Sequence, residues 1–351
     1  MSGFALKGPK ASPIALDFGA SSLKALQVVP GPTPRLIDAA VIETPAELVG
    51  APLERLAFQF EALPKLLAGA KFIGKRAACS VSAAQTLVQH VQTGADEPDA
   101  ARAATEAVAG SLGCNASQLV ARTREVTTVM RGNQKRTESV CIAIPRAVVS
   151  RYMSALRDAK LKPVGIHAEH TALLYAFDGS DAAGVEGRSA KLYLDLGAST
   201  TKIAIAHGPD LVLAKTLELS AVGVAPAPKH EHNAVLVDIG ESDASTGPSS
   251  ESAPQPPSAP AELIEELQAA VRYHSVLFPE TEIGGLVFVG GCASVVSVCQ
   301  QIARALRLPA QLADPLSRIE RPPGAHLPFD CSKPQPGWAL AFGLTACPTE
   351  E

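Results

Sequence analysis

The groups best able to do chemistry stand in two short loops. Asp17, Gly19, Ala20, Ser21, Ser22 and Lys24 lie in IALDFGASSLKALQV, and Asp195, Gly197, Ala198, Ser199 and Thr200 lie in LYLDLGASTTKIAIA. In each, an apolar run ends at an acid, and a glycine, an alanine and two hydroxyl residues lead into a second apolar run. Glycine and small residues let the backbone approach a ligand closely, while hydroxyls and free amides cradle phosphate oxygens. Asp17 and Asp195 end their strands where they could hold Mg2+ through water, since that ion keeps several waters and takes few carboxylates. One DxG at a strand end is more often only a tight turn. Two copies in the same context point to a duplicated phosphate clamp. A third piece, VFVGGCASVVSVCQQIARAL, sets Gly290 and Gly291 between an apolar strand and a helix, where a nucleoside can lie against bare backbone.

The elements that must position these loops follow from periodicity and turn residues. Ile14 to Asp17 and Leu23 to Val29 read as a strand pair joined by the first loop. Leu53 to Leu67 has helical spacing, with Pro64 expected to kink or end it. Asp96 to Leu112 reads as a helix with Asp96 as N-cap and Gly113 beyond its end. Leu119 to Met130 and Thr137 to Ile144 alternate around Gly132-Asn133, a hairpin. Pro145 suits a helix start, and a strand follows near Val164.

From Leu192 the opening pattern returns half a chain later, which suggests a duplicated two-lobe architecture. Its partner strand is followed by another, Leu211 to Leu219, after the turn His207-Gly208-Pro209. Ser242 to Pro260 is dominated by proline and serine, the composition of a flexible linker. Ala261 to Leu277 resumes as an amphipathic helix, Leu286 to Val289 as a strand, and Ser294 is expected to cap a helix reaching Leu306. A small-residue helix spans Trp338 to Ala346.

The order of phosphate loop, phosphate loop and Gly-Gly turn resembles the actin, Hsp70 and sugar-kinase superfamily, and within it the PilM family and its relative FtsA. Asp17, Gly19, Ala20, Ser21, Ser22 and Lys24 fall on the first phosphate loop of that family. Asp195, Gly197, Ala198, Ser199 and Thr200 fall on the second, and Gly290 and Gly291 on the adenosine motif. SVCIAIPRAVVSRYMSALRDAKLKPVGIHAEHTALLYAF, LADPLSRI and GWALAFGLTA resemble further PilM segments, so the likeness covers most of the chain.

The resemblance implies an α/β chain with an actin-like two-lobe fold of duplicated ribonuclease H-like domains. Residues 1–76 and 145–188 would form the first lobe and 77–144 an inserted α+β subdomain of the PilM and FtsA type. Residues 189–240 and 261–351 would form the second lobe, and 241–260 a disordered linker. The subdomain that covers the nucleotide base in PilM is reduced here to a Pro- and Ser-rich stretch, and Cys292 stands where a third glycine is usual.

The resemblance also implies ATP and Mg as cofactors. It implies a scaffold docking the N-terminal tail of a PilN-like inner-membrane protein, at the cytoplasmic face of that membrane, and a possible homo-oligomer. Weak ATP binding and slow or absent turnover are expected from the depleted cover. The alternatives are a phosphotransferase of the sugar-kinase branch, which would need an acid against a substrate hydroxyl, and an FtsA-like cell-division protein. The latter needs an amphipathic C-terminal membrane helix, which the ending FGLTACPTEE does not supply.

Bulk properties narrow the field. With 351 residues and 46% hydrophobic content the chain can bury two ordinary lobes. A net charge of -4 without an arginine-rich run argues against nucleic acid. No apolar run approaches the roughly 20 residues of a membrane span, and no signal peptide is recognisable, so a cytoplasmic address and no direct membrane insertion are expected. Seven scattered cysteines without CxxC spacing read as buried thiols. His230 and His232, and His167 with His170, lack the company of a metal site, and no GxSxG supports a hydrolase.

Overall fold

A computed structural model describes residues 10–177, 189–221, 257–322 and 327–350. Strands β1 (Ile14–Phe18) and β2 (Ser22–Val29) pair antiparallel across the first loop, and β3 (Arg35–Glu43) extends the meander. Helix α1 (Pro52–Ala68) begins with proline at its first turn, where the missing N–H costs nothing. It runs through Pro64 rather than ending there. Pro64 lies on the exposed side, while Leu63 and Leu66 on the other side are buried against the sheet and hold the last turn in place.

Strand β4 (Arg76–Val81) lies parallel to β1. The boundary expected at residue 77 would have placed this strand in the insertion, but its ladder belongs to the first sheet. The three-stranded sheet of the insertion starts at β5 (Leu87–Gly94) and continues, after α2 (Ala100–Ser111), with β6 (Leu119–Arg131) and β7 (Gln134–Pro145), in the order β5-β7-β6. Asp99, not Asp96, caps α2: its carboxylate accepts from Arg102 N–H at 2.9 Å. Pro98 explains the later start, because the residue before a proline is driven out of the helical region.

Helix α3 (Arg146–Asp158) and strand β8 (Lys162–Ala168) return the chain to the first sheet, and α4 (Glu169–Tyr175) starts at the end of β8. The first sheet then reads β3-β2-β1-β4-β8, with its last two strands parallel to β1.

The second lobe repeats this plan. Strands β9 (Ala190–Leu196), β10 (Thr201–His207) and β11 (Asp210–Leu217) form the meander, α5 (Ala261–Leu277) crosses over, and β12 (Ile283–Val289) lies parallel to β9. Helix α6 (Val296–Leu306) leads to β13 (Ala310–Leu312), giving the order β11-β10-β9-β12-β13. Ser294 does not cap α6. Its hydroxyl donates to Gly291 O at 2.8 Å inside a short 3-10 turn, and Val295 takes the cap position. The chain closes with α7 (Ala339–Leu344).

Three apolar clusters hold the lobes. One fills the first lobe beneath α1 and α3, with Phe18, Phe60 and Tyr152 packed edge to face. A second lies under α5 and α6. The third joins the lobes: Ala15 and Val140 meet Tyr193, Ala204 and Val289 around α4 and α7. There the two helices touch backbone to backbone, because a side chain at Gly343 would run into the carbonyl of Ala172. The expected linker at 241–260 falls almost wholly outside the described residues, as do His230 and His232, and so does most of the stretch expected to lack a nucleotide cover. No helix among the described residues is long and apolar enough to cross a membrane.

Candidate functional site

In both turns the glycine lies against the carbonyl three residues on. In the second loop, Gly197 N–H donates to Thr200 O at 3.0 Å, and a Cβ on Gly197 would stand 2.6 Å from that oxygen. In the first, a Cβ on Gly19 would stand 3.1 Å from Ser22 O. Gln59 Nε2 donates to Gly19 O at 2.8 Å and steadies the first turn from α1. Gly19, Ala20 and Ser21, like Gly197 to Thr200, are half-buried, whereas Asp17 and Asp195 beneath them are buried. The turns are therefore more open than the acids behind them, although Ser22, 3% exposed, is buried with the acids.

The hairpin register sets a lysine directly across from each acid. Asp17 pairs with Lys24 and Asp195 with Lys202 across the two meanders. Lys24 Nζ lies 3.8 Å from Asp17 Oδ2, half-buried. Lys202 Nζ lies 2.8 Å from Asp195 Oδ2 and donates to Glu169 Oε2 at 3.0 Å, all three buried. Glu169 Oε2 also accepts from Ala83 N–H at 3.0 Å, so the junction of β8 and α4 is pinned over the cluster.

The acids of both loops gather around this ammonium. Burial pushes the Asp17 carboxyl above its usual range, with Lys24 and Lys202 pulling it back. Burial likewise pushes Glu169 up, against the pull of Lys202. Burial disfavours the charge on Lys202, but Asp195 and Glu169 outweigh it, and its pKa is raised. Lys202 is thus a permanent cation. Next to Glu169, burial lowers His170 to about 4; its Nε2 sits 3.3 Å from Lys215 O, a structural role.

Gly290 brings the third motif against the second. Its φ of 88° suits glycine, and any side chain there would collide with Asp195 Oδ1 and Leu196 O. Gly290 N–H donates to Pro336 O at 3.0 Å, and Cys292 Sγ–H donates to Gly197 O at 3.5 Å. Gly291 is exposed. Gly290 thus lies against Asp195, Cys292 against Gly197, and Asp17 within the electrostatic reach of Lys202 and Asp195.

Sequence reasoning missed two members. Lys202 carried a signal, since it follows Asp195 by the same interval as Lys24 follows Asp17. Glu169 carried none, because only the return of β8 to the first sheet brings it here.

The turns fit a phosphate group: tight, partly accessible and carrying Ser21, Ser199 and Thr200, whereas Ser22, expected on the first phosphate loop, is buried at the start of β2. The acids fit a divalent ion poorly. Among the described residues no three His, Cys, Asp or Glu side chains are grouped to hold a metal, and Asp195 already carries an ammonium at contact distance.

No family model matches the sequence, and no curated protein matches it. Among solved structures, a chain of the PilM-PilN type IV pilus biogenesis complex matches with a TM-score of 0.68 at 18% identity, over 96% of this chain and 97% of that one. The ethanolamine utilization protein EutJ from Carboxydothermus hydrogenoformans matches at 0.46 and 11% identity, over 96% and 90%. The cytoplasmic domain of EpsL, an inner membrane component of the type II secretion system of Vibrio cholerae, matches at 0.43 and 5%, over 95% and 93%. The first of these carries the assignment: the chain has the two-lobe, actin-like α/β fold that its PilM-like motifs imply.

Proposed function

We propose that this chain is an actin-like, nucleotide-binding scaffold of a type IV pilus or related assembly machine. The observation that carries the nucleotide half is the convergence of Gly19, Gly197 and Gly290 around buried Asp17 and Asp195. In this reading the turn amides, with Ser21, Ser199 and Thr200, hold the phosphates of ATP, and Lys24 sits close by. Gly290 and Gly291 leave bare backbone for the adenosine. The nucleotide supplies charge that bridges two lobes otherwise joined through α4 and α7.

The assembly half rests on likeness to the PilM-PilN complex chain. The partner proposed is the N-terminal tail of a PilN-like inner-membrane protein docking on the first lobe, which places the scaffold at the cytoplasmic face of that membrane. Binding, not turnover, is the output. Phosphoryl transfer relies on positioned groups that are free to act, and Glu169, the acid that α4 brings to the loops, is held by Lys202 and Ala83.

Calorimetric titration with ATP, beside titration with the PilN-like tail peptide from the same organism, tests both halves. Weak ATP binding, with Kd of about 10 μM or more, and retained peptide binding are expected. Absence of ATP binding at millimolar concentration removes the nucleotide half, and absence of peptide binding removes the other. Turnover on the order of one per second or faster makes the protein an enzyme instead.

A further inference from the structure

We propose that Lys202 is a built-in cation that takes the place of a protein-held divalent ion behind the two glycine turns. The proposal rests on the nucleotide reading above only for the identity of the ligand, a nucleoside triphosphate. Its own evidence is geometric. Asp195 near the end of β9 and Glu169 at the start of α4 meet at one ammonium, and Asp17 near the end of β1 feels the same charge. Lys202 Nζ stands 2.8 Å from Asp195 and 3.0 Å from Glu169, its side chain 6% exposed.

Buried carboxylates without a counter-charge are costly, and either protons or cations must gather to them. In a site that uses a hydrated Mg2+, the acids are left open so that the ion's waters can reach them. Here the oxygen of Asp195 that faces the cluster is already paired. An ion pair to Asp195 and a hydrogen bond to Glu169 hold the ammonium in place, and a residue on β10 cannot leave without breaking the ladder to β9. An Mg2+ ion arriving with the nucleotide would be held by the phosphates alone. The phosphate turns, by contrast, lie in front of the cluster and are untouched by this pairing.

The equivalent pair in the first lobe is looser. Lys24 stands 3.8 Å from Asp17 and pairs with no second acid among the described residues. The duplication therefore leaves one lysine near the ligand's side and converts the other into a fixed internal charge.

The test uses the full-length protein with and without Mn2+ or Mg2+, read by thermal denaturation in the absence of nucleotide. Lys202→Met exposes the acids, so millimolar Mn2+ should raise its Tm by several degrees while leaving the wild type unmoved. Lys202→Met/Glu169→Gln, with one charge fewer, should respond less. Should Lys202→Met fold only when Mn2+ is present, the proposal stands. A Lys202→Met protein that is indifferent to both ions, or cannot be recovered even with them, overturns it.

ATP titration of the wild type in Mg2+ and in EDTA supplies the second readout. Affinities within about threefold are expected, and a loss of about tenfold or more in EDTA, roughly 1.4 kcal/mol, overturns the proposal. ATP binding in neither condition removes the nucleotide reading, while the Lys202→Met arm still decides the role of the lysine.

Discussion

Lys202 Nζ lies 2.8 Å from Asp195 Oδ2, and the same register in the first lobe leaves Lys24 Nζ 3.8 Å from Asp17 Oδ2. One pair is sealed and shares its lysine with Glu169, the other is half-open. Removal of the two lysines should therefore have unequal cost. Lys202→Met strands Asp195 and Glu169 in the interior, a loss of about 3–5 kcal/mol for a buried pair. Lys24→Met should cost less, because its contact with Asp17 is longer and Asp17 keeps the charge of Lys202 nearby. Urea denaturation of both variants checks the order, and equal midpoints would sink the distinction.

Gly343 is the point at which α7 crosses α4, with no space for a methyl group beside Ala172 O. Gly343→Ala forces the helices apart and should destabilise by about 1–3 kcal/mol, the usual cost of overpacking. Because those helices join the lobes, chemical denaturation of this variant should also lose cooperativity. A single sharp transition at the wild-type midpoint would contradict the close crossing.

The insertion is anchored to the second lobe by a polar contact. Tyr273 on α5 donates its hydroxyl to Glu138 on β7, and His90 Nδ1 stands 3.9 Å from the same carboxylate oxygen. Arg124 on β6 pairs with Asp210 nearby, at the surface. Tyr273→Phe leaves buried Glu138 short of a donor and should cost about 1–3 kcal/mol. Adding Glu138→Gln should recover part of that loss, because a neutral amide tolerates burial better. Arg124→Ala should cost little. Denaturation midpoints of the three variants give the test, and a Tyr273→Phe midpoint equal to that of wild type would show the contact to be idle.

Acid should destabilise the fold through its buried histidines. His170 and His274 are 0% and 1% exposed, and burial holds each at about 4 against an ordinary 6.5. His274 Nε2 also faces His207 Nε2 at 2.8 Å, so only one of these two nitrogens can carry a proton and the rings cannot both be charged. Between those pH values the unfolded chain binds protons that the native state refuses. Stability is therefore present above 6.5 and falls as pH drops toward 4.

For His170 the full effect is on the order of 3 kcal/mol. The raised carboxyls of Asp17 and Glu169 act in the opposite sense, being protonated more readily in the native state. A His170→Gln variant separates the two: its urea midpoint should change less with pH than that of wild type. Parallel pH profiles would rule out His170 as a source.

Much of the site was legible because its information is local. An acid, one residue, a glycine and two hydroxyls between apolar runs dictate a tight hairpin, and the hairpin dictates that Asp17 faces Lys24 and Asp195 faces Lys202. Alternation and turn residues likewise marked the Gly132-Asn133 hairpin and the helix from Ala261 to Leu277. Local rules erred where tertiary packing competes with them. Leu63 and Leu66 carry α1 past Pro64 because their burial outweighs one lost hydrogen bond, and β4 belongs to the first sheet because its partner β1 lies far back in sequence.

The sequence by itself determined the two turns, their acids and lysines, and the repeat that makes two similar sheets, since each arises from contacts within about twenty residues. Only the tertiary structure decided what those charges mean. Glu169 reaches the cluster because β8 returns to the first sheet and α4 starts at its end. Burial then turns Lys202 from one surface charge among many into the fixed partner of two acids. Desolvation belongs to no residue type: it exists only once distant segments have closed over the same few atoms, and no spacing along the chain records it.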